Sequence, residues 1–193
     1  MEKKRLIVAL SGASGAPLGV ELIRQLVRFP EIEVHLVLSR AGEATLTHET
    51  GLTAQELRPY VHEIHPNDSM GASLASGSFR TLGMVVVPCS MKTLAGIVSG
   101  YSDTLLLRSA DVTMKERRPL ILVPRECPFS TLHLRNLAAA SELGCLILPP
   151  VPAYYNHPQT IEDVNRHIVG KILSTLDLEH GNPEWSGLSC SGA

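Results

Sequence analysis

Three places in this chain put small or hydroxyl-bearing residues directly behind an apolar run. Gly12-Ala13-Ser14 follows Leu6–Leu10, Ser39 follows Glu33–Leu38, and Ser90-Met91-Lys92-Thr93 follows Leu82–Val87. If the runs are strands of a parallel sheet, these ends lie along one edge. There, hydroxyls and backbone amides can hold a phosphate and the polar rim of a ring without a cation at every contact. Singly, each is the residue type that caps a helix. Their recurrence at successive strand ends favours a ligand. Ser14 is the residue to watch, because a hydroxyl at a helix mouth either binds a ligand or only caps the helix.

The charged candidates are less uniform. Arg108, Lys115, Arg117, Arg118, Arg125 and Lys171 form the basic set. Lys115 to Arg118 closes a helical stretch, where cations offset the helix dipole, so a solvated helix end explains Arg117 and Arg118. Arg125 follows a buried run and sits between Pro124 and Pro128, which stiffen the loop. A guanidinium there suits a phosphate, whose oxygens it binds in bidentate fashion. Glu126 beside it either pairs with Arg125 or protonates a leaving phosphate. Glu49 is an exposed helix-end carboxylate or a base, and the sequence alone favours the former.

The elements that must position these groups follow from periodicity. Leu6–Leu10 is apolar throughout, the pattern of a strand covered on both faces. Ser11 to Ala16 ends it, Pro17 suits a first helical turn, and Val20, Leu22, Ile23, Leu26 and Val27 continue at helical spacing. The glycines read G-x-x-G-x-x-x-G rather than G-x-G-x-x-G, so a dinucleotide is not the first choice. The free amides of this helix mouth can receive an anion. Further strands are expected at 33–38, 82–87, 119–123 and 145–148, with a short strand and loop in the polar stretch 62–78. Helices are expected from Ala41, over 103–117 and 131–143, and after Thr160, with a short one at the capping-box pattern Thr53-Ala54-Gln55-Glu56. Strands alternating with helices predict a three-layer α/β fold, a parallel sheet with helices on both faces. Residues 1–180 are expected to form a single domain, with 181–193 as a tail carrying Trp185.

Composition narrows the function. A net charge of -2 gives no case for nucleic acid. No apolar run approaches membrane-spanning length, and the charged start Glu2-Lys3-Lys4-Arg5 leads into a run too short for a secretory signal, so none is expected. Cys89, Cys127, Cys145 and Cys190 fit no zinc or redox spacing, and buried free thiols in a reducing cytoplasm are expected. The eight histidines show no metal-binding pairing such as H-E-x-x-H, so no metal is expected.

Five segments together carry a family resemblance: Leu10-Ser-Gly-Ala-Ser-Gly-Ala16, Pro88-Cys-Ser-Met-Lys-Thr93, Ala110-Asp-Val-Thr-Met-Lys-Glu-Arg-Arg-Pro119, Val123-Pro-Arg-Glu-Cys-Pro128 and Pro149-Pro-Val-Pro-Ala-Tyr-Tyr155. In order and spacing they resemble the flavin prenyltransferases of the UbiX type, including members formerly called phenylacrylic acid decarboxylases. The resemblance implies a Rossmann-like or flavodoxin-like fold, with residues 1–180 as one FMN-binding flavoprotein domain, and a cytoplasmic homo-oligomer, usually a dodecamer. It also implies metal-independent transfer of a dimethylallyl group from dimethylallyl monophosphate to reduced FMN. The prenylated FMN then serves a UbiD-type decarboxylase.

Carried over residue by residue, the resemblance puts FMN on Gly12, Ala13, Ser14, Ser39, Ser90, Met91, Lys92, Thr93 and Arg125. The prenyl phosphate meets Lys115, Arg125, Glu126, Tyr155 and Lys171, with neighbouring subunits contributing. Ser14 and Glu49 handle protons beside the flavin, and Glu126 joins them as a catalytic residue. Lys171 stands where the family often has arginine. Two other readings remain at this point: an FMN-dependent cysteine-type decarboxylase, and a non-catalytic FMN carrier or accessory subunit of an aromatic acid decarboxylase.

Overall fold

The computed structural model describes residues 3–183 and Gly187. Six parallel strands form one sheet: β1 (Lys4–Leu10), β2 (Ile32–Leu38), β3 (Glu63–His65), β4 (Gly83–Cys89), β5 (Leu120–Pro124) and β6 (Leu146–Ile147). Their order is β3-β2-β1-β4-β5-β6, the doubly wound Rossmann arrangement. Without the short edge strand β3, the order is the flavodoxin-like one. The direction of winding reverses between β1 and β4, the switch point where open α/β sheets bind ligands.

Helices α1 (Ala16–Leu26), α2 (Arg40–Thr50) and α6 (Ile161–Thr175) cover one face. Leu22, Ile23, Leu46, Val169 and Ile172 bury themselves there against Leu6, Val8, Leu10 and Leu36 of the sheet. Helices α3 (Met91–Ser99), α4 (Leu105–Lys115) and α5 (Thr131–Glu142) cover the other, over Ile7, Ala9, Met84 and Val86. Each fully buried Leu or Ile contributes about 1.5–3 kcal/mol of transfer free energy. Alternate residues of one strand therefore face separate cores, which is why the strands read as continuous apolar runs rather than alternating ones.

Most expected boundaries stand within two or three residues. The helix expected over 103–117 begins only after Thr104, whose hydroxyl accepts the Leu107 amide. It ends before Arg117, which takes a left-handed backbone (φ 55). The strand expected at 145–148 contracts to Leu146–Ile147. The stretch 62–78 holds β3 and one 3-10 turn, Ser73–Ala75. Trp185 and most of the expected tail lie outside the described residues. Among the described residues, no helix is long and apolar enough to cross a membrane.

Candidate functional site

The strands β1, β2, β4 and β5 end nearly level, and their carboxyl ends are laced together. Leu10 pairs with Leu38, so Ser39 donates its amide to Leu10 O at 3.0 Å. Ser11 donates its amide to Pro88 O at 3.1 Å, and Arg125 donates its amide to Cys89 O at 3.2 Å. Ser11 does more: its hydroxyl donates to Pro88 O at 2.8 Å and accepts from the Ser90 amide at 2.7 Å. It is almost fully buried and fixes the β1 turn against the start of α3. Sequence reasoning passed over Ser11 for its exposed neighbour Ser14. Only the β1–β4 adjacency, which brings together Ser11 and Ser90 from 79 positions apart, reveals its role.

The turn carrying Gly12, Ala13 and Ser14 is pressed against α2. A side chain on Gly12 would come within 2.4 Å of Ala41 Cβ, and one on Gly42 within 2.3 Å of Leu10 O. Gly15 has φ 121, a conformation that side chains oppose. It thereby aims two amides at Glu49, whose Oε2 accepts from Gly15 N and Ala16 N, both at 2.9 Å. The expectation that these amides wait for an outside anion is thus corrected: Glu49 supplies the anion. Partial burial works against the Glu49 charge. The Ser14 hydroxyl, the two amides and the nearby Arg125 outweigh it, and hold the carboxyl below its ordinary value. Ser14, Glu49 and Arg125 therefore form one electrostatic unit at the switch point.

Ser39 and Ser90 both act as caps, accepting from Gly42 N at 3.0 Å and Thr93 N at 3.2 Å. Ser90 also donates to Thr93 Oγ1 at 3.1 Å. The first-turn amides of α3, at Met91 and Lys92, have no acceptor within the helix and face the same edge. Arg125 is exposed at this edge, its amide fixed on Cys89 O. This donor set, with a permanent cation and no competing bulk, fits a flavin mononucleotide. Glu126 adjoins Arg125 and accepts from Cys127 N at 3.1 Å.

Not every expected residue joins this cluster. Tyr155 and Lys171 line a separate cavity of about 550 Å³ beyond the end of β6, with His167, Ser174 and Asn182. Tyr155 Oη and His167 Nε2 are 3.4 Å apart, and Asn182 folds back to donate to His167 O at 2.8 Å. Lys115 closes α4 at the amino edge of the sheet, paired with Glu116. Within one chain it therefore lies across the sheet from Arg125. Arg118 is not a solvated helix end: its guanidinium donates to Gly77 O at 2.7 Å and Phe79 O at 2.8 Å. Of the thiols expected to be buried, Cys89 and Cys145 are, whereas Cys127 in the loop after Glu126 is exposed.

A doubly wound sheet with an anion-ready edge defines a class, and the chain matches the Flavoprotein family over residues 1–173. It is 50% identical to the flavin prenyltransferase UbiX of Escherichia coli K12 over 170 residues, 88% of this chain and 90% of that one. The chain belongs to the UbiX-type flavin prenyltransferase family. Among solved structures, the AnUbiX (PadA1) complex with FMN and dimethylallyl pyrophosphate superposes with a TM-score of 0.93. It is 45% identical and covers 97% of this chain and 100% of that one. A dodecameric FMN-dependent UbiX-like decarboxylase from Escherichia coli O157:H7 superposes with a TM-score of 0.92. It is 49% identical, covering 95% and 100%.

Proposed function

We propose that this chain transfers the dimethylallyl group of dimethylallyl monophosphate to reduced FMN, and that the product serves a UbiD-type decarboxylase. The observation that carries this is the Ser14–Glu49–Arg125 unit at the switch point, beside the first turn of α3. Reduced flavin supplies an electron-rich nucleophile, so the protein needs orientation and desolvation rather than a nucleophilic side chain.

The division of labour follows from position. The first turn of α3, with Ser90 to Thr93, receives the flavin's phosphate, and Gly12 to Ser14 and Ser39 line its ring system. Glu49, kept ionised by two amides, orients the Ser14 hydroxyl and accepts a proton through it. Arg125 holds the prenyl phosphate and Glu126 protonates it as its C–O bond to the dimethylallyl group breaks. The sequence has no D-D-x-x-D motif to carry a diphosphate on magnesium. Fixed cations take over that charge instead. Tyr155, Lys171 and Lys115, which lie apart from Arg125 within one chain, complete the phosphate site where neighbouring subunits bring them to it. The dodecameric relative supports such sharing. Free thiols at Cys89, Cys127 and Cys145 suit a cytoplasmic location.

The cysteine-decarboxylase reading loses ground to the Pro124-Arg125-Glu126 loop and to the identity with UbiX. The carrier reading is separated by experiment. The chain is incubated anaerobically with reduced FMN and dimethylallyl monophosphate, and the filtrate is added to a cofactor-free UbiD-type decarboxylase. Activation that needs both substrates supports the proposal. Activation by FMN with the chain alone, or none at all, overturns it.

A further inference from the structure

We propose that His35, Glu63 and His65 form a binding site for a zinc-class divalent cation that clamps the edge strand β3 to β2. His35 on β2 faces His65 on β3, with Nδ1 and Nε2 2.9 Å apart. Glu63 Oε2 stands 3.8 Å from His35 Nδ1 and 3.5 Å from His65 Nε2. These three atoms can ligate one ion. Two nitrogens, each about 2.0–2.1 Å from a tetrahedral zinc, stand about 3.3 Å apart, and a nitrogen and a carboxylate oxygen only slightly further. The observed triangle therefore departs from that of a zinc site by no more than about half an ångström on any edge.

Hydrogen bonding alone does not account for the arrangement. Both imidazoles are nearly fully buried, at 2% and 4% exposure. Yet their mutual bond leaves His35 Nε2 buried with no hydrogen-bond partner. A neutral buried polar group of this kind is costly, and a second histidine placed against it does nothing to relieve that. A cation taking both facing lone pairs gives the pair a reason to be there. The buried His35 ring is also held by Phe79, in a T-shaped contact at 5.2 Å.

A rival triad, Glu33–His35–His62, shares His35. Glu33 is already committed, with Lys3 Nζ at 3.2 Å and Arg5 Nε at 3.4 Å. Glu63, by contrast, has only the two imidazoles as ion-pair partners among the described residues. Its half-exposed carboxylate also leaves the ion an approach from solvent and an open fourth position for water. Two imidazoles and one carboxylate suit zinc, and exclude magnesium and calcium, which require oxygen ligands.

The test titrates zinc into the intact protein against a chromophoric chelator, beside Glu63→Gln and His65→Asn, with thermal melts of each. One zinc per chain is expected, undisturbed by millimolar magnesium, with affinity lowered at least ~10-fold in both variants. Zinc should also raise the melting temperature of the wild type and not that of the variants. Glu63→Gln changes a half-exposed position and keeps the test valid if His65→Asn fails to fold. FMN retention should be indifferent to zinc and to both changes. Absence of stoichiometric binding, or binding that survives Glu63→Gln unweakened, overturns the proposal.

Discussion

Glu49 caps helix α1 by accepting the amide of Gly15 at 2.9 Å, across 34 residues of chain. A helix mouth that superficially resembles a phosphate cradle is thus closed by the protein's own carboxylate, which stays beside Ser14 where the flavin ring is proposed to sit. The charge that stabilises the helix is the same charge proposed to receive a proton.

That coupling has a pH signature. The Glu49 carboxyl lies below its ordinary value of 4.5 in the folded chain. Its contribution to stability is therefore complete above about pH 4.5 and is lost as pH falls through the lowered folded value. Glu49→Gln should cost about 1 kcal/mol at neutral pH, the scale of a helix-terminus charge. The gap between variant and wild type should close in acid. Urea melts between about pH 7 and pH 3 check this, and a gap that widens in acid contradicts it.

Arg125 and Glu126 share one loop, yet the chemistry asks opposite things of them. Glu126→Gln should leave prenyl phosphate affinity intact and slow single-turnover transfer by ~10²-fold or more. Arg125→Ala should weaken affinity and rate together. If Glu126 only orients Arg125, both variants lose affinity alike. Wild-type turnover in Glu126→Gln removes its acid role.

Leu132 and Leu134 on α5 are 63% and 54% exposed, and Val151 and Tyr154 in the following loop are 66% and 76% exposed. Apolar surface of this kind marks an association face. Light scattering of Leu134→Glu should show a smaller assembly than wild type, with transfer activity reduced because Lys115 no longer reaches a neighbour's site. A fully active monomer would contradict the shared site.

The two kinds of thiol should react differently. Burial pushes the Cys89 thiol up to about 12, whereas Cys127 is exposed in the loop after Glu126. Iodoacetamide at neutral pH should label Cys127 and spare Cys89 in the folded protein. Mass mapping reads the result, and labelled Cys89 without unfolding would contradict the packing.

The sequence was most legible where structure is local. Apolar runs gave the long strands, Thr160 reads as a cap, and Ser39 and Ser90 read singly as caps, because capping acts over three residues. Contacts made by sheet order were not legible. Glu49 meets Gly15, Ser11 meets Ser90, and His35 meets His65 only because β1 lies between β2 and β4 and β3 lies beside β2. Lys115 shows the converse: its helix was read correctly, but the topology sets its end at the edge opposite Arg125. Periodicity tells which face a residue takes and is silent on which strand lies next to it.

The most direct test of the central claim is the mass of the flavin after turnover. The chain is incubated anaerobically with reduced FMN and dimethylallyl monophosphate, without added metal and with EDTA, and the extracted flavin is weighed by mass spectrometry. The account predicts a gain of one C5H8 unit and release of inorganic phosphate. Unmodified FMN recovered from a chain that binds both substrates would contradict it.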